Sequence, residues 1–574
     1  MKQHFPILAI AGILAGFDST GSVARADGLQ FAALSERESK VIVRHSTVAP
    51  DPLVRRAQEM LTRLGRYAGP VDGMFNQELA EAIAAVTNRA PSLPGTTEPE
   101  ILLTREIVDR ISLMLDVDRM QDRLRDAGER QREQARRALD GSEEARDLLE
   151  RAVYVPIGPD RNPDACFADP GARCLLTEAL ASAETVLDRK QRDWAFSEIL
   201  VAQARAGYLG NALATVGKLG DPRAVLVAMR RIAGAQAGRG DLDVAADIAR
   251  RIPGVDQRIQ ALLDVAIAAH AAGHADLSGQ LAAEAMPPAS PESDIVGELF
   301  LRAIGIWAAL GDSARSDELL ARYVERLPAD GDRRSTAILA LVERLADSGR
   351  TEEAELWLQR RTDEAGSAVS ARIAIALAHA REGRGDRALA ALAGITQPRY
   401  KVVGLARVAA VMAADMPTAT AIAEVAELAA LRIELSYARS YAYARLVDSW
   451  IALGDLDRAG NALDRIDDDR LRALAAWRIV ASGEAREDVR TELVAIAERS
   501  LAAISDSLAR VWLLCGLEAE FPGIRGRFGG GPGFAEEAVG IARTIGDPWF
   551  RSRAWARISR VYAGDSVEDA EPSR

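Results

Sequence analysis

Four histidines lie beyond the N-terminal apolar segment that holds His4: His45, His270, His274 and His379. His270 and His274 stand four residues apart, a spacing that sets two metal ligands on one helix face. Gly273 falls between them as a helix-ending residue, no HExxH pattern surrounds them and no third ligand is at hand, so no metal site is expected. The chain has no G-x-S-x-G elbow and no convincing Cys/His pair for nucleophilic chemistry. Its carboxylates spread over helical patterns as solvated faces, and no pair stands out for acid–base work. The segment PGIRGRFGGGPG, Pro522 to Gly533, has the glycine content of a phosphate cradle, but a cradle needs a strand before it and a helix N-terminus that meets the anion. The residues before it are helical in pattern. It reads as a flexible insertion, with a partner-docking loop of Arg525, Arg527 and Phe528 as the alternative. No catalytic residue, metal or cofactor is expected, and the tryptophans read as packing residues on helices rather than as sugar platforms.

Cys166 and Cys174 flank the turn-rich FADPGAR. In an oxidising compartment they are candidates for a local disulfide worth about 2–3 kcal/mol in the chain-entropy account. The alternative is two reduced cysteines near a helix start. Cys515, in VWLLCGL, reads as a buried helix residue.

These residues sit in a chain of 574 residues, too long for one core, so several domains or a repeat array must carry them. Hydrophobic content of 48% with 27% charged residues is that of an ordinary globular chain, and aromatics are only 5%. Abundant Ala and Leu favour closely packed helices. The net charge is −12, and the basic residues are almost all Arg, with no basic stripe, so nucleic acid is not an expected partner. Lys2, the apolar run Phe5 to Phe17 and Ala24-Arg25-Ala26 have the layout of a secretory signal with an A-x-A cleavage site. Export to the periplasm of a Gram-negative bacterium is expected, with the mature chain starting near Asp27. No later stretch is apolar enough for a membrane helix, so no integral membrane segment is expected after cleavage.

From about 174 to 563 the chain repeats. A Gly marks the turn between two helices at Gly207, Gly240, Gly273, Gly311, Gly349, Gly385 and Gly454, with gaps of 33, 33, 38, 38, 36 and then 69 residues, about two repeats. Ala-Asp near Asp415 stands where one Gly is missing. A small residue follows five positions later at Ala212, Ala245, Ala354 and Ala459. A second turn separates the pairs: LGDPRAV at Leu219, IPGVDQR at Ile252, ITQPRYK at Ile395, IDDDRLR at Ile466 and IGDPWFR at Ile545. Asp there can cap the next helix and Pro suits its first turn. One hairpin cannot bury its own apolar face, so neighbours must stack. The Gly-x4-Ala turn and the period of 33–38 resemble tetratricopeptide-like repeats, although the usual Trp/Leu-Gly/Tyr pattern of the first helix is not kept. The resemblance implies a divergent α-solenoid of roughly ten helical pairs, its last helix, near Trp549 to Tyr562, capping the stack.

Ahead of it, Leu53 to Ala85 joins two short amphipathic helices through Gly-Pro-Val-Asp-Gly. Ala57-Gln58 with Leu61, Leu64-Gly65-Arg66-Tyr67, Val71-Asp72-Gly73-Met74-Phe75 and Ala82-Ile83 resemble the small three-helix peptidoglycan-binding module of bacterial cell-wall proteins. The usual Gly after the Phe and Thr three residues later are here Asn76 and Leu79. The resemblance implies turns at Gly65 and Gly73, core positions for Phe75 and Leu61, and a contact surface of Arg66, Tyr67, Asp72 and Asn76. Physically, Gly65 and Gly73 permit positive φ, and Asn76 can cap the second helix.

The expected organisation is all-α: signal peptide 1–26, linker 27–49, peptidoglycan-binding-like domain 50–116, charged helical linker 117–165, α-solenoid 166–565 and disordered tail 566–574. Within the linker, Val117, Met120, Leu124, Ala127 and Gln131 follow a 3-4 spacing that fits either a weak coiled-coil seam or a solvated spacer helix. The expected function is a non-catalytic periplasmic scaffold that is associated with the cell wall, holding peptidoglycan through the module and unidentified envelope proteins through the solenoid. The alternative is a protein-only adaptor, or a regulator of a cell-wall enzyme, whose module no longer binds wall.

Overall fold

The computed structural model describes residues 50–87, 103, 105–150, 161–286, 294–329, 331–360, 368–483, 485–528 and 531–564. The expected signal segment, the 27–49 linker and the 566–574 tail lie outside the described residues. Every regular element among the described residues is a helix, and none is long and apolar enough to cross a membrane. The chain divides into two compact units, one up to Gln134 and one spanning Ala135–Asp569.

In the first unit Asp51 caps α1 (Pro52–Arg63) by accepting from the Leu53 amide at 2.7 Å, and Pro52 fills the first turn. Val54, Ala57 and Leu61 form the buried stripe of α1. They share an apolar cluster with Leu79 and Ile83 of α2 (Gln77–Thr87) and Val108, Ile111 and Leu115 of α3 (Arg105–Gly141). The expected boundary between module and charged linker falls at 116–117, yet α3 runs through it as one unbroken helix. Nothing there can stop a helix: no Gly or Pro intervenes, and ion pairs one turn apart, such as Arg125–Asp122 at 2.6 Å, support the solvated part.

The second unit begins with α4 (Glu143–Glu150), α5 (Pro163–Ala168) and α6 (Ala172–Glu184). Ten hairpins follow. They pair α7 (Arg189–Arg205) with α8 (Leu209–Val216), α9 (Pro222–Gly238) with α10 (Leu242–Arg250), α11 (Val255–Ala271) with α12 (Ala275–Glu284), and α13 (Asp294–Ala309) with α14 (Ser313–Val324). Next come α15 (Gly331–Asp347) with α16 (Thr351–Gln359), α17 (Val369–Arg381) with α18 (Gly385–Ala393), and α19 (Pro398–Val411) with α20 (Met416–Ala430). The set ends with α21 (Ser436–Ala452) and α22 (Leu456–Leu463), α23 (Asp469–Ala481) and α24 (Glu487–Ala503), and α25 (Ser507–Glu520) with α27 (Phe534–Thr544), the short α26 (Ile524–Arg527) lying between the last two.

The sequence signals act locally as expected. At Gly207 the Tyr208 amide reaches back to the Gln203 carbonyl at 2.8 Å, and the same closure recurs at Asp241, His274, Asp312, Arg350, Arg384 and Asp455. One register differs from expectation. The left-handed residue of the sixth turn is Gly383, at φ +74°, and not Gly385. Gly385 opens α18, where an added Cβ would meet Met412 Cε at 2.9 Å. Counted from Gly383, the fifth residue is Ala388, which is fully buried like Ala212, Ala245, Ala354 and Ala459. Two repeats put Ser there instead, and the hydroxyls of Ser278 and Ser316 donate to the Ala266 and Ile304 carbonyls of the facing helix. Asp221, Asp468 and Asp547 accept amide hydrogens as N-caps of α9, α23 and α28 (Pro548–Tyr562).

The first helix of each pair packs on the first helix of the next, from α7 through α25 to α28, forming an inner layer. The expected cap on an open stack is not what α28 does. It packs on α25, on α7 and most extensively on α6, so that α6 and α28 form an eleventh pair and the inner layer closes on itself. Leu175, Leu176 and Phe196 share one apolar cluster with Phe534, Trp555 and Ile558. Arg551 donates from Nε to Ser182 Oγ at 3.3 Å, and Arg553 Nε lies 3.0 Å from Glu198 Oε2. Closure removes two solvent-exposed apolar ends that an open solenoid must cap. Cys166 and Cys174 are joined as a disulfide, tying α5 to α6, and Phe167 of α5 stacks on Trp555 with centroids 4.9 Å apart.

The glycine-rich segment is anchored where the structure describes it. Arg525 is buried and paired with both Glu498 and Glu537, and Arg490 lies over the Phe528 ring at 5.0 Å. Arg525 and Phe528 therefore pack internally; Arg527 ends α26.

Candidate functional site

The turn after α1 is organised by an amide in the middle of its apolar stripe. Gln58 is fully buried, and its Oε1 accepts from the Gly73 amide at 2.8 Å. Its Nε2 donates to the Met74 carbonyl at 2.9 Å and to Asp72 Oδ1 at 3.0 Å, and it approaches the Tyr67 hydroxyl at 3.3 Å. Gly73 has φ +81°, and a Cβ there would come within 3.1 Å of the Asp51 carbonyl oxygen, so both conformation and space require glycine.

The four residues expected to form one contact surface separate. Tyr67 is 4% exposed, and its hydroxyl donates to the Pro70 carbonyl at 3.0 Å while accepting from Asn76 Nδ2 at 2.9 Å. Asn76 Oδ1 accepts from the Leu79 amide at 2.8 Å, capping α2. Asp72 Oδ1 accepts from the Met74 amide at 2.8 Å. The Met74 amide, then the Gln58 side chain, hold the Asp72 carboxyl below its usual range. Tyr67, Asp72 and Asn76 are thus the internal frame of the loop. Arg66 alone of the four is exposed, with Ala68, Pro70 and Val71 beside it. Gly65 has φ +66°, and Phe75 lies half-buried against the apolar cluster. Gln58 bonds partners 9 to 16 residues further along the chain, so no local motif marks it as the organiser. Its signal was a polar residue at a core position of an amphipathic helix.

The second surface is the inner layer of the larger unit, which carries charge on nearly every helix. Arg302 pairs with Asp264. Arg344 lies 3.9 Å from Glu298, Arg445 3.1 Å from Asp448, and Arg478 bridges Asp448 at 3.0 Å and Glu520 at 3.1 Å. Arg553 is boxed by the rings of Trp194, Trp512 and Trp549 at 5.0, 4.9 and 4.9 Å. Three tryptophans thus hold a cation of the chain itself. Burial pulls the Arg407 guanidinium below its usual value, and Arg445 adds to that more than Arg381 does.

Burial also raises the Glu343 carboxyl above its usual range, against a hydrogen bond from Ser370, with Asp347 adding to the rise. A carboxyl raised on folding stabilises the fold most while protonated, below its unfolded value, and loses that contribution as pH climbs through the folded value. Glu343→Gln keeps the acceptor for Ser370 and should raise the melting temperature at about pH 7 by roughly a degree or two, with little change near pH 4. Calorimetry across that range checks it, and a larger gain at the acid end would refute it.

Other chemistry-bearing residues do not assemble. His270 lies in the last turn of α11 and His274 is the N-cap of α12, on opposite sides of Gly273. His379 is buried with Nε2 2.8 Å from Glu355. Among the described residues no three His, Cys, Asp or Glu side chains gather as a metal set. Cys515 is buried in α25.

No family model matches the chain, and no curated protein matches it. Two solved structures are similar in part. The crystal structure of Ton1535 from Thermococcus onnurineus NA1 is 17% identical, with TM-score 0.20, covering 53% of this chain and 94% of its own. A circular tandem repeat protein with novel repeat topology is 13% identical, with TM-score 0.14, covering 89% of this chain and 95% of its own. Both scores are too low to carry an argument about function.

Proposed function

We propose that this chain is a non-catalytic binding protein of the bacterial envelope: an exported scaffold whose N-terminal module holds peptidoglycan and whose helical ring engages protein partners. The observation that carries the wall-binding half is the Gln58-centred frame. It locks the loop from Gly65 to Asn76 without spending Arg66, Ala68, Pro70 or Val71, which stay exposed together. A loop ordered in advance loses little entropy on binding. The contact residues are then Arg66 and Val71, and Tyr67, Asp72 and Asn76 position them.

Co-sedimentation of the full chain with murein sacculi tests this. The wild type should pellet, and Arg66→Ala combined with Val71→Ala should reduce the pelleted fraction by roughly tenfold, about 1.4 kcal/mol. Absence of wild-type protein from the pellet would sink the wall-binding half. The protein-only adaptor reading has its own support in α3. Leu113, Val117, Met120 and Leu124 keep a 4-3-4 spacing along one stripe and are all exposed, Leu124 to 63%.

A further inference from the structure

The ring-closing seam forms an open cleft of ≈ 360 Å³, lined by residues in and beside α5 and α6 on one side and in α27 and α28 on the other. Its chemistry is lopsided. Arg161, Arg543 and Arg551 line it against a single carboxylate, Glu178. Arg161 already holds that carboxylate in a fork, Nε to Oε1 at 2.7 Å and Nη2 to Oε2 at 2.6 Å. The pair is internally satisfied, so Arg543 and Arg551 set the charge of the remaining space.

Arg551 uses Nε for Ser182 Oγ and Nη1 for the Ile545 and Gly546 carbonyls, leaving Nη2 without a partner among the described residues. The Arg543 guanidinium lies over the Phe167 ring at 5.0 Å and has no hydrogen-bond partner among them. Pro163, Phe167, Ala181 and the buried Trp555 supply an apolar wall. Two guanidiniums beside a short apolar patch, in a cleft of small-molecule size whose lining mixes charged and apolar residues, can fix the orientation of an amphipathic anion.

The geometry points to a binding site for a small carboxylate with an aromatic or branched apolar body. The carboxylate bonds Arg543 and Arg551 Nη2, and the body lies against Pro163, Ala181 and the edge of Phe167, whose ring is already covered face-on by Trp555 and Arg543. A bare inorganic anion would leave that wall wet, and an amine would face two like charges. This goes beyond the wall-binding and scaffold reading and does not depend on it. Because Ser182 and Thr185 come from the start of the ring and Arg543, Arg551 and Trp555 from its end, an occupant bridges the closure. It therefore stabilises the folded ring by mass action.

The test uses the full chain, with phenylacetate, inorganic phosphate and phenethylamine as probes, followed by titration calorimetry and thermal melting. Phenylacetate should bind and raise the melting temperature, and phosphate and phenethylamine should each bind at least about tenfold more weakly. Arg543→Ala, at an exposed position, should weaken phenylacetate at least about tenfold with an unchanged helical spectrum. Ala181→Phe, which fills the cavity and leaves both arginines in place, should do the same. No phenylacetate binding at about 10 mM, unchanged affinity in either variant, or equal affinity for phosphate would each overturn the proposal.

Discussion

Trp555→Ala should strip hydrogen-exchange protection from Ala172–Glu184, a helix far earlier in the chain. Trp555 is 1% exposed and belongs to the apolar cluster that α6 and α7 share with α28. The closing contacts span 369 residues between Ser182 and Arg551. Deleting a buried indole costs about 3–5 kcal/mol from lost burial and the cavity it leaves. In an open stack that cost would fray only the last pair. In a ring it falls equally on the first pair, because α6 has α28 as its partner helix. Trp450→Ala is the matched control. Trp450 is fully buried in α21, away from the seam, so it should loosen its own neighbourhood and leave α6 protected. Loss of protection at 548–562 alone, with α6 unaffected, would refute closure as a source of stability.

Gln58→Ala should unlock the loop from Gly65 to Asn76. The substitution removes the acceptor for the Gly73 amide, a donor to the Met74 carbonyl and one of the two donors to Asp72 Oδ1, which keeps the Met74 amide, in a partly buried site. At about 1 kcal/mol per bond, with a larger penalty for each buried group left unsatisfied, the cost is about 2–4 kcal/mol. Gln58→Glu separates size from bonding. It preserves volume and still accepts from Gly73, but turns lone pairs towards Asp72 and the Met74 carbonyl, so it should be no better than Ala. Exchange protection at 65–76 and protease cleavage within it are the readouts. Asp72 adds a pH dependence to the wild type. Its carboxyl is lowered on folding, so its contribution is present above the ordinary carboxylate range and disappears only as pH falls through the lowered folded value. Loop protection that vanished on moderate acidification, well above pH 4, would contradict this arrangement.

The loop shows where sequence patterns stop being informative about a site. Gly65, Gly73 and the cap at Asn76 follow from turn chemistry confined to a few residues, and each is found in its expected place. The roles of Tyr67 and Asp72 do not follow, because a polar side chain beside a turn faces solvent or the frame according to a partner elsewhere. That partner is Gln58, on α1. Arg525 illustrates the same point: in sequence it belongs to a glycine-rich insertion, and in space two carboxylates from α24 and α27 hold it.

In the repeat region, pattern alone determined helical pairs, their approximate period, and the Gly and Asp-Pro punctuation. Each rests on interactions within five or six residues: a backward amide bond at a left-handed glycine, or a carboxylate capping the next helix. Even there, Gly383 against Gly385 required knowing that Met412 crowds one of them. Only the tertiary structure decided that the array is closed. Closure depends on the small rotation between successive pairs, summed until α28 meets α6, and no local motif encodes a sum. The cavity at that seam exists for the same reason. Its residues come from the two ends of the ring, and they become neighbours only when it shuts.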